Sequence, residues 1–185
     1  MTTGRRAGRG GGAAVAFIVA TAVGVGSSWT AAAGGPILHA RWHLLLVLGV
    51  WAAAWLLGVV AVFRLPTRLA VGLVLVAALT VRLAALGGPP TTSDDLYRYA
   101  WDGRVQASGA DPYARTPLAP ELVGLRDRWL WPDAQGCAHL DRPPGCTRLN
   151  RPAERTIYPP VAEAWFGVVH AVGGDGARHK VWQGA

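Results

Sequence analysis

The chain has 185 residues, of which 51% are hydrophobic and only 16% are charged. Soluble domains carry about 25% charged residues, so this composition is depleted in charge. The net charge is +7, but the basic residues form no stripe with regularly placed stacking aromatic residues, which argues against a nucleic-acid partner. Residues 44–63 contain no ionisable side chain. That stretch excludes an ordinary soluble helix and predicts an all-α membrane protein.

The first apolar segment covers about residues 13–34 and is rich in Ala, Gly and Val. Three arginines precede it, Arg5, Arg6 and Arg9, so it has the layout of a secretory signal peptide, with residues 31–33 as a small-residue cleavage site. The uncharged stretch is also long enough to cross a bilayer. We favour an uncleaved transmembrane helix after a cytoplasmic tail at residues 1–12, and in either case the following chain emerges outside.

The second and third apolar segments, about residues 44–63 and 69–87, are predicted to be two further transmembrane helices. Trp42 lies at the edge of the second segment, where an interfacial tryptophan is expected. The third contains one arginine, Arg82, near its outer end. Its side chain either extends to the nearer membrane surface or binds a loop carboxylate or a ligand phosphate.

The basic residues around these segments predict the orientation in the cell membrane. Cytoplasmic loops carry an excess of Lys and Arg. Five arginines would be cytoplasmic: Arg5, Arg6, Arg9, Arg64 and Arg68. The loop between the first two segments offers only Arg41. After three crossings, residues 88–157 form an extracytoplasmic loop of a multi-pass membrane protein.

Cys137 and Cys146 are the only cysteines, and both fall in this predicted outer loop. A Pro-Pro-Gly sequence at residues 143–145 lets the chain fold back between them. The alternatives are two unpaired thiols, or a zinc site for which only His139 is nearby and the spacing fits no known pattern. We favour a disulfide, because thiols in an oxidising compartment seldom stay free.

The outer loop is predicted to begin with a helix at residues 94–108. Thr92 or Ser93 would cap it, and Asp94 and Asp95 occupy the first turn, where negative charge is favourable. The helix should end near Gly109. Its polar face has helical spacing (Asp95, Tyr99, Asp102 and Gln106), and with its tyrosines and Trp101 the helix should lie along the membrane surface. Residues 126–132 could form a second short surface helix.

Residues 158–185 begin with Tyr-Pro-Pro and continue into an apolar run at residues 161–172, interrupted by Glu163 and His170. About twelve residues are too few for a complete span. The run predicts a short re-entrant or surface helix, or a transmembrane helix whose remainder is missing. Residues 173–185 read as the approach to a further helix, which predicts a truncated chain.

Three stretches together resemble a known family: residues 93–106 (SDDLYRYAWDGRVQ), 109–113 (GADPY) and 156–160 (TIYPP). They are similar to multi-pass bacterial glycosyltransferases of the C-type superfamily, which use polyprenyl-phosphate sugars, and most of all to actinobacterial membrane mannosyltransferases. The resemblance covers roughly residues 69–172. Such enzymes usually have many more spans than three, and the stretch from Cys137 to Cys146 has no counterpart in the resemblance.

The resemblance implies an inverting sugar transfer from a polyprenyl-phosphate donor to an extracytoplasmic glycan or glycolipid acceptor. Asp94 or Asp95 would be the general base or would help to hold the acceptor, and the resemblance does not separate the two residues. Arg98, Arg104 and Arg82 could neutralise the lipid phosphate, with ion pairs or lipid head-group contacts as the alternative. Tyr158 would line the sugar site or only pack beneath the loop. No cofactor is implied, and a divalent metal is not indicated.

Two other functions remain open. The chain could be a non-catalytic multi-pass membrane protein, such as a partner subunit that keeps the loop for assembly. A transporter fragment has less support, because Arg82 is the only charged side chain within the three predicted spans.

Overall fold

The structure is a computed structural model that describes residues 4–34, 41–90 and 93–185, with side chains from Gly10 onward in the first range. Every regular element within these residues is helical, which agrees with the predicted all-α class. The chain divides into two compact units: an N-terminal unit before Ser93 and a C-terminal unit, Ser93–Ala185. The predicted cap by Thr92 lies outside the described residues.

The N-terminal unit consists of three helices: α1 (Gly4–Ala33), α2 (Arg41–Val62) and α3 (Thr67–Ala85). Each is long and apolar enough to cross a membrane, as predicted for three transmembrane helices. Helix α1 begins at Gly4, ahead of the apolar segment. Arginine is a good helix former, so the helical backbone can continue beyond the apolar stretch toward the N-terminus.

Small residues mediate the packing within the N-terminal unit. Helix α1 packs against both α2 and α3, and α2 buries Ala54, Gly58 and Ala61. Gly58 faces the ring of Phe17 on α1 at van der Waals distance, as in membrane helix pairs whose backbones approach closely. Large apolar side chains point outward instead, so the unit presents a surface fitted to lipid.

The C-terminal unit contains four α-helices and one 3-10 helix among its described residues. They are α4 (Asp95–Ala107), the 3-10 helix (Pro120–Leu125), α5 (Ala134–His139), α6 (Pro160–Gly173) and α7 (His179–Gly184). Helix α4 packs against α6, α7 and the 3-10 helix. The core forms around α4, where Trp101 is 1% exposed and packs edge-on against Trp131.

The predicted helix at residues 94–108 is present as α4, and its predicted place along the membrane surface stays a prediction. Nine of its 13 residues are buried, including charged ones. The polar face could enter the core because its side chains pair with one another and with α6, which offsets the cost of removing them from water. Helix α4 ends where predicted, and Gly109 adopts a left-handed φ of 81° just beyond it.

The prediction of a second surface helix at residues 126–132 is wrong, because this stretch forms a turn. Leu130 is fully buried within it. Three arginines of the unit stack on its aromatic rings. Three such pairs occur: Arg126 on Trp131, Arg148 on Tyr97, and Arg178 on Trp129.

Helix α6 is too short to cross a bilayer. Its 14 residues extend about 21 Å, whereas the hydrocarbon core is about 30 Å thick. It packs against α4 through Phe166 and Val169, both buried. The last residues, predicted to approach a further helix, form α7, whose Trp182 is buried against the same core.

Candidate functional site

The two acidic residues at the start of α4 have different surroundings. Asp94 is exposed, and its Oδ2 accepts a hydrogen bond from Arg142 Nη2 at 3.2 Å. Asp95 is half-buried, and its Oδ1 accepts a short hydrogen bond from the side-chain amide of Asn150. Ser93 Oγ accepts the Asp95 backbone N–H at 3.1 Å, close to the predicted cap, although the capping position itself belongs to Asp94.

Both partners of the acidic pair come from one segment of the chain. Cys137 and Cys146 are joined by a disulfide, and Arg142 lies inside the loop that this bond closes. Arg142 Nη1 also donates to Thr147 O at 2.6 Å, and Asn150 follows shortly after. The loop that had no counterpart in the family resemblance therefore supplies the contact to Asp94, and the residues just after it supply the contact to Asp95.

Aromatic rings lie next to Asp95. Tyr99 follows Asp95 by one helical turn, stacks on Phe166 at 4.5 Å between centroids, and meets Tyr158 edge-on at 5.1 Å. Burial, together with the nearby Asp95 charge, raises the pKa of both tyrosines. Tyr113 OH donates to Tyr158 O at 2.6 Å, which holds the Tyr-Pro-Pro segment against this group of rings. Such a set of rings beside a carboxylate and an amide offers both stacking surfaces and hydrogen bonds to a polar ligand.

Behind the rings lies a buried polar network. Arg98 Nε donates to both carboxylate oxygens of Asp102 at 3.0 Å. Glu163 Oε1 accepts from Thr156 Oγ1 at 2.7 Å, and Oε2 accepts from Gln106 Nε2 at 2.7 Å. Asp102 and Glu163 lie close enough that each affects the pKa of the other. This network joins α4, the segment before Tyr158, and α6.

The network contains two carboxyl groups for one guanidinium group. Burial is the main cause that raises the pKa of Glu163, to about 7, and the Asp102 charge adds to it. Burial also raises the pKa of Asp102, although Arg98 opposes the shift. A protonated Glu163 beside an ionised Asp102 and Arg98 makes the group electrically neutral, which is the arrangement that costs least in a dry interior.

The structure gives Arg98 and Arg104 partners within the protein. Arg98 is 4% exposed, and its Nη1 donates to Glu154 O at 3.0 Å. Arg104 is 7% exposed and donates to Asp127 Oδ2 and Leu125 O at 3.0 and 2.9 Å. These contacts favour ion pairs within the protein over binding of a lipid phosphate, and both ion pairs involve a buried arginine. Nothing in the sequence indicated that the side chains of Arg98 and Arg104 would both point inward.

Arg82 belongs to the N-terminal unit and lies at an apolar groove. The groove has a volume of about 600 Å³ and is lined by residues of α1, α2 and α3, among them Phe17, Trp51 and Trp55. Arg82 is its one charged lining residue, in the last turn of α3. An apolar channel with a cation at its edge has the chemistry to hold a lipid chain that carries an acidic head group.

Sequence reasoning missed Asn150, Arg142 and Thr156 as members of this region. These three residues gave no signal in the sequence. Glu163 did give one, as the lone acidic residue in an apolar run. Within residues 4–34, 41–90 and 93–185, no group of three or more His, Cys, Asp or Glu side chains is arranged to hold a metal ion. Comparisons with protein-family models, with curated proteins and with solved structures found no match to the chain.

Proposed function

We propose that the chain is a membrane glycosyltransferase that moves a sugar from a polyprenyl-phosphate donor to a glycan or glycolipid acceptor outside the cytoplasm. The sugar we propose is mannose, on the resemblance to mannosyltransferases. The observation that carries the proposal is the arrangement around Asp95. A half-buried carboxylate is held by the Asn150 amide and lies beside Tyr99 and Tyr158. All of these residues except Asn150 fall within the stretches that resemble the family.

Asp95 is the general base in this proposal, in preference to Asp94. The acceptor oxygen attacks the anomeric carbon, the bond from that carbon to the phosphate oxygen breaks, and polyprenyl phosphate leaves with inversion. The acceptor proton passes to the Asp95 carboxylate. Asn150 orients that group through Oδ1, which leaves Oδ2 to take the proton. Asp94 is engaged by Arg142 at the surface, an arrangement better fitted to fixing the loop.

The rings of Tyr99 and Tyr158 would contact the apolar face of the sugar. In the N-terminal unit, taken by itself, the groove at Arg82 is the proposed place for a polyprenyl chain, because Arg82 is the only charged residue of its lining. Arg82 would offer a lipid phosphate a positive charge. Arg98 and Arg104 have no part in this proposal, because both are buried in ion pairs.

The C-terminal unit lies outside the cytoplasm in this proposal. The arginines that flank the apolar helices support that orientation under the positive-inside rule. The disulfide between Cys137 and Cys146 also supports it, since such bonds persist in oxidising compartments.

The proposal is tested with membranes that contain the chain and a radiolabelled polyprenyl-phosphate mannose. Asp95→Asn should lower transfer about 10²- to 10⁴-fold, the usual contribution of a general base. Asp94→Asn should lower it less than tenfold. Glu121→Gln, which changes an exposed carboxylate paired only with Arg115, is the matched control and should leave transfer unchanged.

Two outcomes would contradict the proposal in different ways. If both aspartate variants keep native transfer, the general-base assignment is wrong. If the native chain transfers no sugar from any polyprenyl-phosphate donor, the enzyme assignment fails and a non-catalytic partner subunit is the better description.

A further inference from the structure

Helix α6 directs its polar side chains into the protein. It has two ionisable residues, Glu163 and His170, which are 3% and 7% exposed. They are seven residues apart and therefore lie on the same face of the helix. Glu163 is bound by Gln106 and Thr156, and His170 Nε2 lies 3.5 Å from Asp175 Oδ1. The polar face of α6 is thus the face that packs against the rest of the C-terminal unit.

The opposite face of α6 is apolar and exposed. Val161, Trp165, Val168 and Val172 are 83%, 50%, 51% and 86% exposed. Their spacing of four, three and four residues places them within about 60° of arc, directly opposite Glu163 and His170. We call these four residues the α6 stripe. Ile157, just before the helix, is also 79% exposed.

Polar and apolar residues of α6 are distributed in the opposite way to those of a helix at a water-facing surface, where polar residues point outward. A contiguous exposed apolar stripe marks a surface that another apolar medium covers. Three media are possible in a membrane protein: another protein, a second copy of this chain, or lipid.

Two observations select lipid. Trp165 lies in the middle of the stripe, and tryptophan is enriched where a protein meets the interface of a bilayer. Only seven residues lie between Ala85, the end of α3, and Ser93. A chain of that length extends roughly 30 Å at most, so a bilayer crossed by α3 lies within reach of the unit that carries α6.

We propose that the α6 stripe inserts into the boundary between lipid head groups and acyl chains, with α6 lying in the plane of the membrane. At 14 residues, the helix extends about 21 Å and cannot cross a hydrocarbon core of about 30 Å. An in-plane helix buries its apolar face about 5–10 Å below the head groups. The lipid surface is therefore a binding partner of α6, whatever reaction the protein performs.

The test uses the full chain in bilayers of phosphatidylcholine and phosphatidylglycerol. Val161→Cys, Val168→Cys and Val172→Cys are each labelled with a nitroxide, while the native cysteines remain in their disulfide. Collision of the label with oxygen reports lipid, and collision with a water-soluble nickel complex reports water. Val123→Cys is the matched control, because Val123 is a valine of the same unit that is 52% exposed on the 3-10 helix.

All three stripe positions should show high oxygen and low nickel accessibility, with depths that agree within about 5 Å. The control position should be accessible to nickel. Nickel accessibility along the stripe would overturn the proposal. So would low accessibility to both reagents, which would mean that protein covers the stripe. A depth that increases by about 16 Å from position 161 to 172 would instead indicate a helix along the membrane normal and would also overturn it. None of these readings depends on sugar transfer, so the two proposals fail separately.

Discussion

Glu163 and Asp102 meet inside the C-terminal unit, and their shared environment couples the fold to pH. The pKa of Glu163 rises from an ordinary value of 4.5 to about 7 in the folded chain, chiefly through burial. Between these two values the folded state holds a proton that the unfolded state has released. The free energy of unfolding should therefore decrease as pH rises through this range, and the contribution of Glu163 is fully present only at the acidic end.

Glu163→Gln should flatten this pH dependence. The amide can keep hydrogen bonds to its neighbours and carries no charge at any pH, so the decrease between about pH 5 and 7 should become shallower. This pH dependence is measured by thermal unfolding of the solubilised chain, followed by near-ultraviolet circular dichroism of the buried tryptophans. His170, whose pKa is lowered by burial, is present in both proteins, so the difference between the two slopes reports Glu163 together with the adjacent Asp102. Glu121→Gln is the control, and an unchanged slope in Glu163→Gln would contradict the assignment.

The distinction between Asp94 and Asp95 could not be predicted from the sequence. The two residues are adjacent, and both suit the first turn of a helix. Their different surroundings come from Arg142 and Asn150, which are 48 and 55 residues further along the chain. Local spacing carries no information about contacts at that separation, so only the fold separates the two carboxylates.

The crossing of α4 and α6 depends on Gly103. A Cβ at this position would lie 2.5 Å from the backbone oxygen of Phe166, so the two helix backbones approach too closely for any side chain there. Because the obstacle is backbone, one of the helices would have to shift. This contact places the ring of Phe166 on Tyr99, beside the proposed sugar site.

Gly103→Ala should lower the free energy of unfolding by about 1–3 kcal/mol, the range for an overpacked interior. Gly124→Ala is the matched control, because a Cβ at Gly124 would meet nothing within 4 Å. That change should have an effect of less than about 0.5 kcal/mol. Denaturant unfolding monitored by tryptophan fluorescence compares them, and equal stability of the two variants would disprove the close approach.

The disulfide loop makes a second prediction at the scale of elements. Replacing Cys137 and Cys146 together by serine removes a loop constraint of about 2–3 kcal/mol in the chain-entropy model. It should also loosen Arg142 and Asn150, so transfer should decrease even under conditions where the variant remains folded. Unfolding and transfer are measured on the same membranes, with Asp133→Ala as a control that removes only the N-cap of α5. Native transfer by a folded serine variant would show that the loop does not orient the acidic pair.

Helix boundaries were predictable where local chemistry sets them, but the burial of the polar face of a helix was not. Gly109 ends α4 because a left-handed residue is needed there. The polar face of α4 suggested exposure, since Asp102 and Gln106 are hydrophilic taken singly. Asp102 pairs with Arg98 one turn away on the same helix, whereas Gln106 is paired with Glu163 of α6. A pairing between separate helices leaves no periodic pattern in the sequence.

The two units divide the charge of the whole molecule unequally. All eleven acidic residues lie from Ser93 onward, together with eleven of the 18 basic residues. The net charge of +7 therefore belongs entirely to the first 92 residues. The three apolar helices were predictable because each predicted segment holds at most one charged side chain in about twenty residues, and the same runs explain why the excess basic residues gather at helix ends.

The orientation derived from these arginines is a prediction for intact cells. A membrane-impermeant thiol reagent should modify Cys146, which is half-buried whereas Cys137 is fully buried, after mild reduction. A cysteine introduced in the turn between α2 and α3, as Leu65→Cys, should react only after the membrane is opened. Labelling in the opposite pattern would reverse the orientation and remove the extracytoplasmic acceptor from the proposed reaction.

The disulfide between Cys137 and Cys146 makes the structure of the loop depend on the redox compartment. Arg142, which contacts Asp94, lies inside a loop closed by a covalent bond that a reducing cytoplasm would leave open. In a newly made chain this loop would lack its covalent constraint until the chain met an oxidant. Under the proposed function, the surroundings of Asp94 would therefore be completed only in an oxidising compartment.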